Sequence, residues 1–127
     1  MRLTQKEQER LLIFNIAEMS RRRLRRKIKL NYIEAEAIIC DELLERGRDG
    51  GCSIAQLAEL GRSIISIEDV MEGTPSLLPM IQLEVLFPDG NKLVTIHNPI
   101  HLPTKAETVR NLVSMPCCAF ETETIHE

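Results

Sequence analysis

The sequence has few large aromatic side chains: no tryptophan, one tyrosine and three phenylalanines occur among its 127 residues. Leucine, isoleucine, valine and methionine must therefore build the core, which will be thin for the surface that it serves. Long hydrophobic runs are absent as well, since no stretch approaches the roughly 18 apolar residues of a membrane span. The N-terminus MRLTQKEQER also lacks the apolar segment of a signal peptide. We expect a soluble, cytoplasmic chain.

Strong positive charge is missing too. The formal net charge is -3, whereas a general nucleic-acid-binding domain is usually strongly basic. The four cysteines (Cys40, Cys52, Cys117 and Cys118) form no CxxC motif and no paired metal-ligand spacing. We therefore expect free thiols in a reducing cytosol.

Three helix starts carry the capping-box pattern, in which Ser, Thr or Asn is followed three residues later by Glu or Gln. The pairs are Thr4 with Glu7, Asn31 with Glu34, and Ser53 with Gln56. They predict a first helix that frays near Lys29, a second that runs to about Arg46 and a third that ends at Gly61. Ser66 with Asp69 predicts one further turn.

Two strands are predicted after the helices, because MIQLEVLF and NKLVTIH alternate apolar and polar residues. They are joined by the turn sequence Pro88-Asp89-Gly90. Pairing Phe87 with Asn91 would give a hairpin that is apolar on both faces, and a bare two-stranded ribbon is marginal in water. The predicted fold is α+β: a three-helix cluster followed by an antiparallel β-hairpin, in a domain of residues 1–100, with a C-terminal tail of residues 101–127.

A basic run, RRRLRRKIK, extends from Arg21 to Lys29. Such runs bind phosphate groups in some proteins, so a small nucleic-acid-binding adaptor is the alternative function. Leu24 and Ile28 continue the apolar helix face through the run, which favours the solvated end of a packed helix, where cations suit the dipole. Salt bridges from this run to a partner subunit remain open.

No catalytic or metal-binding group is predicted in this chain. His97 and His101 are four residues apart, but Pro99 between them excludes a helical pair of metal ligands. Cys40 lies on the apolar arc of its helix and is interpreted as a small hydrophobic residue, since no neighbouring base is evident. We expect no cofactor to bind here.

Five segments, in order, carry a resemblance to a known family. LTQKE, KLNYIEA, ELGRSII, DVMEG and FPDGNKLVTIHNPI together resemble the urease gamma subunit, over residues 1–100, while the tail is unmatched. The resemblance implies a non-catalytic small subunit of a nickel-dependent urease (urea amidohydrolase), the complex that hydrolyses urea to ammonia and carbon dioxide. It also implies assembly with beta and alpha subunits as a trimer of heterotrimers, with nickel held by the alpha subunit.

The same resemblance suggests where a partner would bind. A neighbouring subunit that covered one apolar face of the hairpin would contact Leu86, Val94, Ile96 and His97. Family members usually have an apolar residue where this chain has Glu36, which a helical projection places among apolar residues. Since an unpaired carboxylate on a buried face is costly, we expect Glu36 to form an ion pair at an interface, within the chain or between chains. These five residues are the predicted interface.

Overall fold

The computed structural model describes residues 1–108. Its elements are, in chain order, helix α1 (Gln5–Arg25), helix α2 (Tyr32–Asp49), helix α3 (Ile54–Gly61), a 3-10 turn (Ile67–Asp69), helix α4 (Thr74–Leu77), strand β1 (Met80–Phe87), strand β2 (Gly90–His97) and a second 3-10 turn (Lys105–Glu107). The predicted α+β arrangement of helices followed by an antiparallel hairpin is confirmed. No helix in this described part is long and apolar enough to cross a membrane.

The three predicted capping boxes are all formed, so each of the first three helices begins where the sequence indicated. The end of α1 differs from the prediction, because the helix stops at Arg25 rather than near Lys29. Lys27 adopts a left-handed φ of 64, and the amide of Ile28 donates to the carbonyl of Arg23 at 3.0 Å. This backward hydrogen bond around a left-handed residue closes the helix.

Helix α2 occupies the centre of the fold. It packs against α1, α3 and β1, while α3 packs against β2. Gly47 marks the closest approach of helix and strand: a Cβ at this position would lie 2.1 Å from Cγ1 of Val85. Only glycine allows this spacing. Ile39 and Leu43 of α2 and Val85 of β1 are fully buried in this core.

The hairpin register differs by one residue from the one predicted. Phe87 pairs with Gly90 rather than Asn91, so the turn is Pro88-Asp89. A slip of one residue moves all side chains of one strand to the opposite face. Most apolar hairpin residues consequently share the face that packs on this chain's own helices, and the expected hairpin with two apolar faces is wrong.

The outer face of the hairpin is mixed rather than apolar. Three of its side chains are large, hydrophobic and about half exposed: Met80, Leu86 and Leu93. They are interspersed with polar side chains, among them Gln82 and Glu84. A partner that covered this face would therefore bury separate apolar side chains and no continuous apolar surface.

The chain beyond the hairpin contacts the 3-10 turn Ile67–Asp69. The amide of Ile67 donates to the carbonyl of Leu102 at 2.8 Å, and the amide of Lys105 donates to Oε2 of Glu68 at 2.9 Å. The first residues of the predicted tail are thus bonded to the domain. The domain boundary at residue 100 stays a prediction, and residues 109–127 of the predicted tail lie outside the described residues.

The two cysteines within the described residues differ in their bonding. Cys40 is a buried free thiol, as expected. Cys52 is disulfide-bonded, so the expectation of free thiols is wrong for this residue. Cys117 and Cys118 lie outside the described residues.

Candidate subunit interface

The described residues offer no cluster of metal ligands. Within residues 1–108, no group of three or more His, Cys, Asp or Glu side chains could hold a metal ion. His97 and His101 are both exposed, at the end of β2 and beyond it. The candidate functional site is therefore a surface.

The structure separates the predicted interface residues. Leu86 and His97 both lie on the outer face of the hairpin, but Leu86 is beside the turn and His97 pairs with Met80 at the far end. Val94 and Ile96 are fully buried between β2 and the helices of this chain. They support the hairpin from inside and offer no surface in this chain for another subunit to contact.

Glu36 lies apart from the hairpin residues, in the first half of α2. It is only partly exposed, and burial raises the pKa of its carboxyl. No ion pair reaches it from any residue between 1 and 108. Cys40 follows one turn later, and burial, with the nearby carboxylates of Glu36 and Asp41, raises the pKa of its thiol to about 12. This thiol is protonated and unreactive at neutral pH.

The arginines of α1 bind other carboxylates of α2. Arg21 donates to Asp41 at 2.6 Å and to Glu42 at 3.0 Å, while Arg10 forms an ion pair with the other oxygen of Asp41 at 2.8 Å. We call these four residues the α1–α2 ion cluster. Part of the basic run thus joins two helices of the same chain.

A second contact continues this pairing toward the end of α1, where Arg23 pairs with Glu34. Arg22, Arg25 and Arg26 are exposed instead, which agrees with a solvated helix end. Sequence analysis missed the ion cluster. The available signal was that Glu34 and Asp41 fall on one helix face, while the preceding helix supplies arginines.

Arg46 is the most unusual polar residue of the core. Its side chain is only 1% exposed, yet its three guanidinium nitrogens have no hydrogen-bond partner within the described part of the chain. Oε2 of Glu42, one turn earlier, is also buried without a partner. Burial lowers the pKa of Arg46, against the opposing effect of Glu42 and Asp49. Nothing in the sequence pattern distinguished Arg46 from an exposed helical arginine.

An apolar groove lies between the first half of α1 and the hairpin. Its volume is about 880 Å³, and its lining includes Leu11, Phe14, Leu44 and Leu86. Leu11, Phe14 and Leu86 are each more than 40% exposed, so hydrophobic surface remains open on both sides of this groove. Exposed apolar surface rimmed by polar residues is typical of protein-binding sites. We call this feature the α1–hairpin groove.

Comparison with known proteins identifies the family. Residues 1–100 match the family model described as urease, gamma subunit. The chain is also 49% identical over 107 residues to a urease subunit gamma of Natronomonas pharaonis, in an alignment that covers 84% of this chain and 97% of that relative. The chain belongs to the urease gamma subunit family.

Proposed function

We propose that the chain acts as the non-catalytic gamma subunit of a nickel-dependent urease, which hydrolyses urea to ammonia and carbon dioxide. The observation that carries this proposal is the 49% identity across 97% of a urease subunit gamma. The likeness spans the helices and the hairpin together, so it concerns the whole described fold. The nucleic-acid-binding alternative gains no support, because Arg21 and Arg23 are already paired within the chain.

Nickel would be held by another subunit. The described residues do not fit a nickel centre, since no group of three or more donor side chains lies within residues 1–108. A metal in such an enzyme polarises the substrate carbonyl and lowers the pKa of bound water. This chain would contribute to that chemistry only by shaping the assembly.

The proposed partners are the beta and alpha subunits, in a cytoplasmic trimer of heterotrimers. The α1–hairpin groove offers apolar surface for them, with Leu86 at its border and His97 farther along the same hairpin face. Glu36 would meet a cationic side chain of another subunit, because no ion pair reaches it from residues 1–108. Such an ion pair would mainly determine how the two chains are aligned, and would contribute less to their binding affinity.

Co-expression tests this function. The full chain is produced together with the other urease subunits of its source, purified by a tag on this chain, and assayed for urea hydrolysis. We expect co-purification and nickel-dependent release of ammonia, with loss of the assembly when this chain is omitted. Absence of co-purification, combined with salt-dependent binding to RNA or DNA, would favour the adaptor instead.

A further inference from the structure

The hairpin is a two-stranded sheet, so each strand has one edge without a neighbour. The amide of Asn98 donates to the carbonyl of Pro79 at 2.9 Å. Hydrogen-bonded and non-hydrogen-bonded pairs alternate along an antiparallel ladder. The next pair, Met80 with His97, is therefore non-hydrogen-bonded. Counting from this pair toward the turn, every second pair is also non-hydrogen-bonded.

Residues of the non-hydrogen-bonded pairs direct their amide and carbonyl groups away from the hairpin. On β2 these residues are Asn91, Leu93, Thr95 and His97, and on β1 they are Met80, Gln82, Glu84 and Leu86. Within residues 1–108, no hydrogen bond to the outward groups between Gln82 and Thr95 is present. Within the part of the chain that the structure describes, neither edge has a neighbouring strand.

The two edges differ in their surroundings. Glu84 of β1 is joined to Lys6 of α1 by an ion pair, and Glu84 and Leu86 line the α1–hairpin groove. One ion pair therefore joins α1 to the outer face of β1. No comparable ion pair reaches the outward residues of β2 from the described part of the chain, and Leu93 on that strand is 58% exposed.

The protection of the β2 edge against strand addition is limited to one inward-facing charge, that of Lys92, which is paired with Asp89. Proteins protect such edges with proline, charged side chains, bulges or very short strands. Here the strand has eight residues, the register runs unbroken from Met80 to Phe87, and the outward positions of β2 carry neither Lys nor Pro. We propose that the β2 edge binds an extended strand from another urease subunit, which continues the sheet from this chain into its partner.

This inference rests on the proposed function, which supplies the partner. A second copy of this chain is the less suitable occupant. A strand of eight residues is about 27 Å long and its contact about 10 Å wide, so edge pairing alone would bury about 500 Å², below the roughly 1,000 Å² expected of a stable interface. A different subunit can add contacts in the α1–hairpin groove. Its strand would carry an apolar residue beside Leu93, which is 58% exposed.

Amide hydrogen exchange on the full chain, free and in the co-purified complex, tests the edge directly. In the free chain the amides of Leu93 and Thr95 should exchange rapidly, whereas those of Val94 and Ile96 are protected by the hairpin. Assembly should slow exchange at Leu93 and Thr95 at least a hundredfold, and leave Gln82 on the opposite edge rapid. Unchanged exchange at Leu93 and Thr95 in an intact complex would overturn the inference while leaving the proposed function standing.

A pair of proline variants supplies the matched control. Thr95→Pro removes an outward amide of β2, and Gln82→Pro removes an outward amide of β1; proline is tolerated where the amide faces solvent. Thr95→Pro should reduce co-purification at least tenfold, while Gln82→Pro assembles as the unmodified chain does. Equal assembly of both variants, or equal loss in both, contradicts the inference.

Two further results distinguish a failure of this inference from a failure of the proposed function. If the unmodified chain forms a dimer that Thr95→Pro abolishes, a second copy occupies the edge and the inference is wrong. If the unmodified chain fails to co-purify with any urease subunit, the proposed function falls and the inference falls with it.

Discussion

Arg21 of α1 donates a hydrogen bond of 2.6 Å to Asp41 of α2, and the carboxylate that it meets is only 2% exposed. Arg10 lies against the other oxygen of the same carboxylate. A buried carboxylate is tolerated only when it is paired, so the position of α1 on α2 depends on these arginines.

We expect Arg21→Met to lower the free energy of unfolding by about 3 kcal/mol, because Glu42 loses its partner and Asp41 keeps only Arg10. Urea denaturation of the isolated chain measures this loss. Arg22→Met, at the exposed neighbouring position, should change stability by less than about 0.5 kcal/mol. Equal effects of the two substitutions would show that the α1–α2 ion cluster contributes nothing to the fold.

Arg46→Met should have the opposite effect. The substitution removes a buried guanidinium that has no partner within the described residues, and it keeps most of the side-chain volume. Stability should stay the same or rise by about 1 to 2 kcal/mol. Arg48→Met, at an exposed position two residues on, is the matched control. A loss of more than about 2 kcal/mol for Arg46→Met would mean that the guanidinium has an essential partner.

Glu36→Val should leave the isolated chain equally stable or more stable at pH 7. Burial raises the pKa of Glu36 above its ordinary 4.5 in the folded state. The native chain therefore loses stability as pH rises from the unfolded pKa through the folded one. The advantage of the variant should shrink as pH falls toward about 4, and Glu36→Gln should share it.

Co-purification with the other subunits distinguishes two roles for Glu36: an ion pair with another subunit, or a network within this chain. If Glu36 pairs with another subunit, Glu36→Val and Glu36→Gln should both co-purify less of the urease complex than the unmodified chain. A loss of several kcal/mol in the isolated variants would instead place Glu36 in a network within this chain, with a cation left unpaired by the substitution.

The isolated full chain should neither hydrolyse urea nor retain stoichiometric nickel. Equilibrium dialysis with nickel alone measures binding, and ammonia release measures activity. A chain ending at residue 108 serves as the comparison. Tight binding by either form would contradict the assignment of the metal to another subunit, and the comparison would show on which side of residue 108 the donors lie.

A chain ending at residue 100 should melt below one ending at residue 108. The shorter form loses the bonds from Ile67 to Leu102 and from Lys105 to Glu68, each worth about 1 kcal/mol or less. A difference of about 5 °C corresponds to roughly 1 kcal/mol in a domain of this size. Equal melting temperatures would place the domain boundary at residue 100.

Local signals predicted the helices well, because a capping box is satisfied by residues three positions apart. The end of α1 was harder to predict, since it depends on a left-handed lysine at position 27. The hairpin register depended on whether Gly90 belongs to the turn or to β2, and one residue decided which side chains are buried. The groove joins distant segments, so spacing along the sequence could not reveal it. The α1–α2 ion cluster was indicated only indirectly, by carboxylates on one face of α2 and arginines in the preceding helix.

The contact between Gly47 and Val85 has an evolutionary consequence. A Cβ at position 47 would lie 2.1 Å from Cγ1 of Val85, so the distance between α2 and the hairpin is set where the Val85 side chain rests against the bare backbone of Gly47. A larger residue at either position of this contact would push the hairpin away from α2. A partner shaped to one ancestral copy of this surface would therefore fit its diverged descendants only while position 47 remains glycine and position 85 keeps a side chain of the size of valine.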